Sequence, residues 1–230
     1  MKIAKLTLAA ALLSALPFAA FAQEEEASPF TWSLAAVSDY TWRGVSQSDE
    51  NPTGQAGLTY THSSGFYVGT WASGVDFGSG GPDFEVDGFV GYNFDASESV
   101  NIDLMVNRYA YPGNGELNFN ELIAKATFAD TYSLTVAYSD DFGGSDESAL
   151  YYNLGGSWGL PKDFSLSAGV GYNQTEDALG DNYVDWNVGV SKSWGPVTAA
   201  LGYVGTNGSG NDLFGDLADD RVVLTLSVGN

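Results

Sequence analysis

Cysteine is absent from this chain, and histidine occurs once, as His62. A disulfide framework and a cysteine–histidine metal centre are therefore both excluded. Basic residues are scarce, with 8 Lys and Arg against 29 Asp and Glu and a formal net charge of −21. That balance excludes a nucleic-acid binder, which needs Lys and Arg to neutralise phosphates. Acidity of this degree can mark disorder, but 44% hydrophobic and 14% aromatic residues supply too much apolar surface for that. Beyond the first residues no apolar run approaches the roughly 20 positions of a membrane-crossing helix, so any crossing must be made by strands.

What is present begins with a leader. Lys2 and Lys5 precede the apolar stretch Leu6–Phe18, and Ala20-Phe21-Ala22 offers a small-x-small cleavage site before Gln23. This pattern predicts a secretory signal peptide over residues 1–22, removed from a mature single domain of residues 23–230. Gln23–Ser28, with three consecutive glutamates, reads as a short solvated tail.

A period-two rhythm follows. In Phe164–Asn173, Phe164, Leu166, Ala168, Val170 and Tyr172 alternate with Ser165, Ser167, Gly169, Gly171 and Asn173. Tyr183–Trp194 repeats the pattern. Such alternation gives a strand one apolar and one polar face. Strands are expected over Phe30–Arg43, Gly54–His62, Phe66–Val75, Phe84–Phe94, Ser99–Tyr109, Asn118–Phe128, Tyr132–Ser139, Glu147–Trp158, Phe164–Asn173, Tyr183–Trp194, Val197–Gly205 and Asp220–Val228. Phe30, Trp32, Leu34, Ala36 and Tyr40 share one parity of the first. The connectors alternate short and long, which is the arrangement of an outer-membrane barrel with tight turns on one rim and longer loops on the other. Trp158, Tyr172, Trp194, Tyr92 and Phe94 sit near strand ends on the apolar parity, where interfacial girdles belong. The reading is an all-β, antiparallel up-and-down transmembrane β-barrel of about twelve strands, with about ten or fourteen also compatible with the boundaries. It predicts an outer-membrane location, lipid as a partner and a monomer. The last long connector, Thr206–Asp219, contains Leu213, Phe214 and Leu217 and is expected to form a short helix over the mouth.

One segment carries more than rhythm. Ser38-Asp39-Tyr40-Thr41-Trp42-Arg43-Gly44-Val45-Ser46-Gln47-Ser48 is followed by Asn51-Pro52, Gln55, Gly57, Tyr60, His62 and Ser64-Gly65-Phe66-Tyr67-Val68-Gly69-Thr70-Trp71. It resembles the TorF-type outer-membrane porin family of proteobacteria, as does the late stretch Asp219–Val223. The resemblance implies an outer-membrane barrel with a pore and names no substrate. One departure is the chain's end, Ser227-Val228-Gly229-Asn230, which lacks the final aromatic residue of many such barrels.

Residues with chemistry are few. His62 and Ser64 share a strand face, as a hydrolase pair would, but a histidine supporting a tight turn is the plainer reading, and no enzyme is expected. Asp39 and Arg43 share a parity at the end of strand one. They suggest an ion pair holding the first loop, or a charged eyelet. Glu85, Asp87, Asp103, Asn107, Glu121, Lys125 and Asp185 fall on polar-face positions. As a lumenal set they suggest an acidic path for small hydrophilic solutes or cations; a sealed, salt-bridged interior with acidic loops for binding or envelope structure is the alternative. Asp140-Asp141 with Asp146-Glu147 reads as a solvated loop, with loose calcium binding as the alternative, and no cofactor or metal site is expected.

Overall fold

The computed structural model describes residues 28–230; the predicted leader lies outside the described residues. The strands are β1 (Phe30–Val37), β2 (Thr41–Trp42), β3 (Val45–Ser46), β4 (Thr53–Thr61), β5 (Phe66–Gly74), β6 (Phe84–Ser97), β7 (Val100–Ala110), β8 (Phe119–Phe128), β9 (Tyr132–Ser139), β10 (Ala149–Leu160), β11 (Phe164–Gln174), β12 (Tyr183–Trp194), β13 (Val197–Thr206) and β14 (Arg221–Gly229). All but β2 and β3 form one closed antiparallel barrel in which each strand pairs with the next and β1 closes against β14. Asn230 finishes the seam, its Oδ1 accepting from the Trp32 N–H at 2.8 Å. Closure leaves no strand edge unpaired, which a hydrocarbon environment requires.

The period-two pattern becomes inside and outside. Leu134, Leu154, Val170 and Trp186 stand in register across β9–β12 and form one row of the outer surface. Leu58, Val90, Leu122, Leu224 and many like them are also exposed. A continuous apolar belt of this size has no place in water and fits acyl chains. Aromatic pairs edge it at the short-turn rim: Phe30 with Tyr60, Phe66 with Tyr92, Tyr92 with Phe94, and Tyr132 with Trp158. Lys192 lies over the Phe164 ring at 4.7 Å on the same rim, its stem on the belt and its charge at the interface.

The inner surface is divided. Along β10–β14 it carries small polar groups such as Asn153, Ser167, Asn187, Ser191, Thr198 and Ser227. Along β5–β8 it carries Tyr67, Trp71, Phe89, Met105 and Ile123, which pack as one buried cluster. The expected polar positions Glu85, Asp87, Asp103, Asn107, Glu121 and Lys125 lie on this wall too, interleaved with the cluster on the same inward parity. The apolar members of the wall receive a loop.

That loop, L1 (residues 38–52), corrects the expected first strand, Phe30–Arg43. The barrel strand stops at Val37, and the chain turns inward, so Tyr40 is 1% exposed instead of sharing the outward parity of Phe30, Trp32 and Leu34. β2 and β3 then make a small hairpin inside the mouth, Thr41 pairing with Ser46 and Trp42 with Val45. Arg43 (φ 49°) and Gly44 (φ 81°) form its two-residue turn with positive φ at both positions, the geometry that suits a tight hairpin. A Cβ on Gly44 would meet the Gly205 carbonyl oxygen and Thr206 Cγ2 at 2.7 Å, so the turn abuts the opposite wall. After the short α1 (Glu176–Leu179), the helix expected in the last long loop is α2 (Gly208–Phe214); Leu213, Phe214 and Leu217 pack with Val45, Tyr183 and Ala218 over the hairpin.

The outward belt predicts a depth-dependent cost for charge. Leu154, 61% exposed in mid-strand, should tolerate Val, whereas Leu154→Arg should destabilise the barrel by about 2–4 kcal/mol near the bilayer midplane. Reversible denaturant unfolding from phospholipid vesicles measures this; equal stabilities for the two variants would contradict an outward, lipid-facing Leu154.

Candidate functional site

The L1 hairpin is held by side chains from almost every side of the barrel. Arg43 reaches across to β8, where its Nη2 donates to Glu121 Oε1 at 2.7 Å and Oε2 at 3.0 Å. Both side chains are nearly inaccessible, at 7% and 2%. The guanidinium is sandwiched between the Trp42 ring at 4.2 Å and the Tyr151 ring of β10 at 4.1 Å. Its planar, weakly hydrated cation is suited to that double stacking. Tyr109 of β7 donates to Glu121 Oε2 at 2.8 Å. The Trp42 ring lies 5.8 Å from that of Tyr109, 6.4 Å from Phe119 and 5.9 Å from Phe142.

The base of the hairpin is tied to the near wall. Asp39 accepts from Ser46 and Ser48 at 2.6 and 3.0 Å and pairs with Arg221 of β14 at 2.8 Å. The expected Asp39–Arg43 ion pair does not form. The hairpin carries Arg43 away from Asp39, and each finds a partner on a different wall. Tyr40 donates to Glu85 of β6 at 3.0 Å and packs edge-on to Trp71 with ring centroids 5.3 Å apart. Burial first, and then the Glu85 carboxylate, push the Tyr40 and Tyr111 phenols well above their ordinary range, so both stay protonated donors.

The polar-face residues singled out from the sequence all point inward, but at two levels. At the level of the hairpin lie Glu85, Asp87, Asn107, Glu121 and Asp185, each at most 3% exposed. Asp87 accepts from Asn107 Nδ2 at 2.9 Å, and Asp185 from Asn173 Nδ2 at 2.8 Å. Asp103 and Lys125 lie nearer the short-turn rim, opposite each other in the β7–β8 register. Asp103 also accepts from Tyr67 at 2.6 Å. Acids outnumber bases in this belt. Beneath the hairpin is a cavity lined by Asp39, Tyr40, Thr41, Gln55, Asn187 and Thr225 together with the apolar Val37, Val204 and Val223.

Sequence reasoning missed Tyr40, Tyr109, Tyr151, Asn173 and Arg221. The aromatics alternate correctly but look identical to girdle residues. The Arg43-Gly44 step was the available turn signal. His62 Nδ1 and Ser64 Oγ are 2.7 Å apart in an exposed turn at the short-turn rim, and Ser64 N–H also donates to the ring. No acid orients the histidine among the described contacts, and the contact closes a turn.

The closed twelve-stranded antiparallel barrel is a fold also seen in solved outer-membrane porins. The KdgM porin superposes with a TM-score of 0.56 at 9% identity, over 86% of this chain and 97% of that one. The NanC porin gives 0.56, 9%, 86% and 97%. An outer-membrane channel from Pseudomonas putida F1 gives 0.52 at 14% identity, over 90% and 97%. These likenesses concern the fold. The chain belongs to a family described as a bacterial protein of unknown function (Gcw_chp), whose sequence profile matches residues 23–228. No curated protein matches it.

The central ion pair sets a stability prediction. Arg43→Ala leaves the Glu121 carboxylate buried and uncompensated and should cost about 3–5 kcal/mol. Adding Glu121→Leu should restore much of that loss. If the single and double variants unfold alike, Arg43 and Glu121 are not coupled.

Proposed function

We propose that the protein is a porin-type channel of the outer membrane, reached after removal of residues 1–22, and that it passes small hydrophilic solutes or cations by passive diffusion. It works as a monomer in contact with outer-membrane lipid, and its likeness in residues 38–71 to TorF-type porins agrees with this. The observation that carries the reading is the polar wall. Side chains such as Ser191, Asn187 and Thr225 lead from the short-turn rim to the cavity beside the hairpin, a route for water that narrows at the mouth where Arg43 and Gly44 meet Tyr151, Gly205 and Thr206.

The belt at the hairpin favours cations. Glu85, Asp87, Glu121 and Asp185 face only Arg43 there, with the Asp39–Arg221 pair beside them, and rings of acid select cations in narrow pores. The KdgM porin has been seen with disordered oligogalacturonate, a polyanion. An acid-rich belt disfavours such a substrate here. No enzymatic role is proposed, since the sole histidine sits in an exposed turn.

A second reading is supported by the reach of L1. Because Arg43 and Trp42 touch the far wall, the hairpin also suits a sealed barrel whose acidic loops serve binding or envelope structure. Planar bilayers under a salt gradient separate the two. The channel reading expects a cation-selective reversal potential and a larger single-channel conductance in Arg43→Ala. Silence in both proteins, with no size-dependent sugar uptake by liposomes, would leave the sealed barrel.

A further inference from the structure

We propose that Glu85, Asp87 and Asn107 form a binding site for a hard inorganic cation in the barrel wall, beside the L1 hairpin. This inference rests on the cation-passing reading for its role but not for its existence.

Glu85 and Asp87 are two residues apart on β6 and share its inner face. They are 2% and 0% exposed. Of the other acids buried at this level, Glu121 and Asp39 are ion-paired and Asp185 accepts from Asn173 and Tyr151. Arg43 is taken by Glu121, and Arg221 by Asp39 and Glu50. Lys125 stands across from Asp103 on the next strand pair. Among the described residues, no ion pair reaches Glu85 or Asp87; the Tyr40 and Tyr111 phenols donate to Glu85, and the Asn107 amide to Asp87. Two neighbouring buried carboxylates without a counter-charge carry a large desolvation cost.

A second observation lies in the amide. Asn107, 2% exposed on β7, uses its Nδ2 to reach Asp87 Oδ2, which leaves its own Oδ1 without a partner. Asp87 Oδ1 is likewise unpartnered. Two open acceptors therefore belong to side chains already in contact. A bound water would satisfy both oxygens but leave both charges standing. A proton shared between them would remove one charge and leave the other standing. A metal cation does both at once. The donors are all oxygen, which selects calcium, magnesium or an alkali ion over zinc or copper. No third carboxylate converges there among the described residues, so the Asn107 oxygen completes the set.

Calcium chloride titrated into the refolded full chain in detergent micelles, in a potassium chloride background that screens the exposed loops, tests this by calorimetry. One saturable site is expected. Asp87→Asn should weaken it about ten-fold or more, as loss of a metal contact does. Asn107→Asp, which adds a carboxylate oxygen in the same place, should tighten it. Glu147→Gln, on an exposed loop, should leave it unchanged. Absence of saturable binding, or an affinity that ignores Asp87 and follows Glu147, would overturn the site. Binding without conductance would instead overturn the channel reading, and conductance without binding would leave that reading standing and remove this one.

Discussion

The Arg43–Glu121 pair is the interaction on which the interior depends. An arginine in the centre of a barrel is costly unless a carboxylate meets it, and Glu121 does so through both oxygens. Once that bond is made, the rest of L1 has one place to go. Trp42 is carried into the Tyr109, Phe119 and Phe142 rings, Tyr40 into Trp71 and Glu85, and Gly44 against Gly205 and Thr206. The α2 segment then rests on Val45. A loop that would otherwise lie outside becomes a crossbar, and the apolar wall of β5–β8 exists to receive it.

The barrel supplies the frame for this arrangement. Its outer surface answers to lipid, which demands apolar side chains and a closed hydrogen-bond ladder. Its inner surface answers to the crossbar, which demands aromatics on one side and charge partners at one level. Small polar groups on the remaining wall are what is left for water. The division of the interior thus follows from a single loop: the proposed channel follows the wall lined by small polar groups, and the proposed cation site lies on β6 and β7, where Tyr40 of the loop meets Glu85.

The frame was legible in the sequence because period-two alternation maps directly onto the two faces of a strand. Tyr132–Ser139 and Tyr183–Trp194 begin and end where the alternation does. The inward direction of Glu85, Asp87, Asp103, Asn107, Glu121, Lys125 and Asp185 was legible for the same reason. The hairpin was not. Thr41 and Trp42 favour strands, so Phe30–Arg43 reads as one continuous ribbon, and nothing local states that the ribbon breaks at Val37. Pairing of Arg43 with Glu121 and of Asp39 with Arg221 spans 78 and 182 positions and is created by closure, which parity alone does not encode.

The divided interior requires L1 to lie within the mouth of the barrel. Nuclear Overhauser contacts from the Trp42 indole of the refolded protein in micelles test this most directly. Cross-peaks to the rings of Tyr109, Phe119 and Phe142 are expected. An indole with averaged shifts and no contact to those rings would place the loop outside and contradict the account.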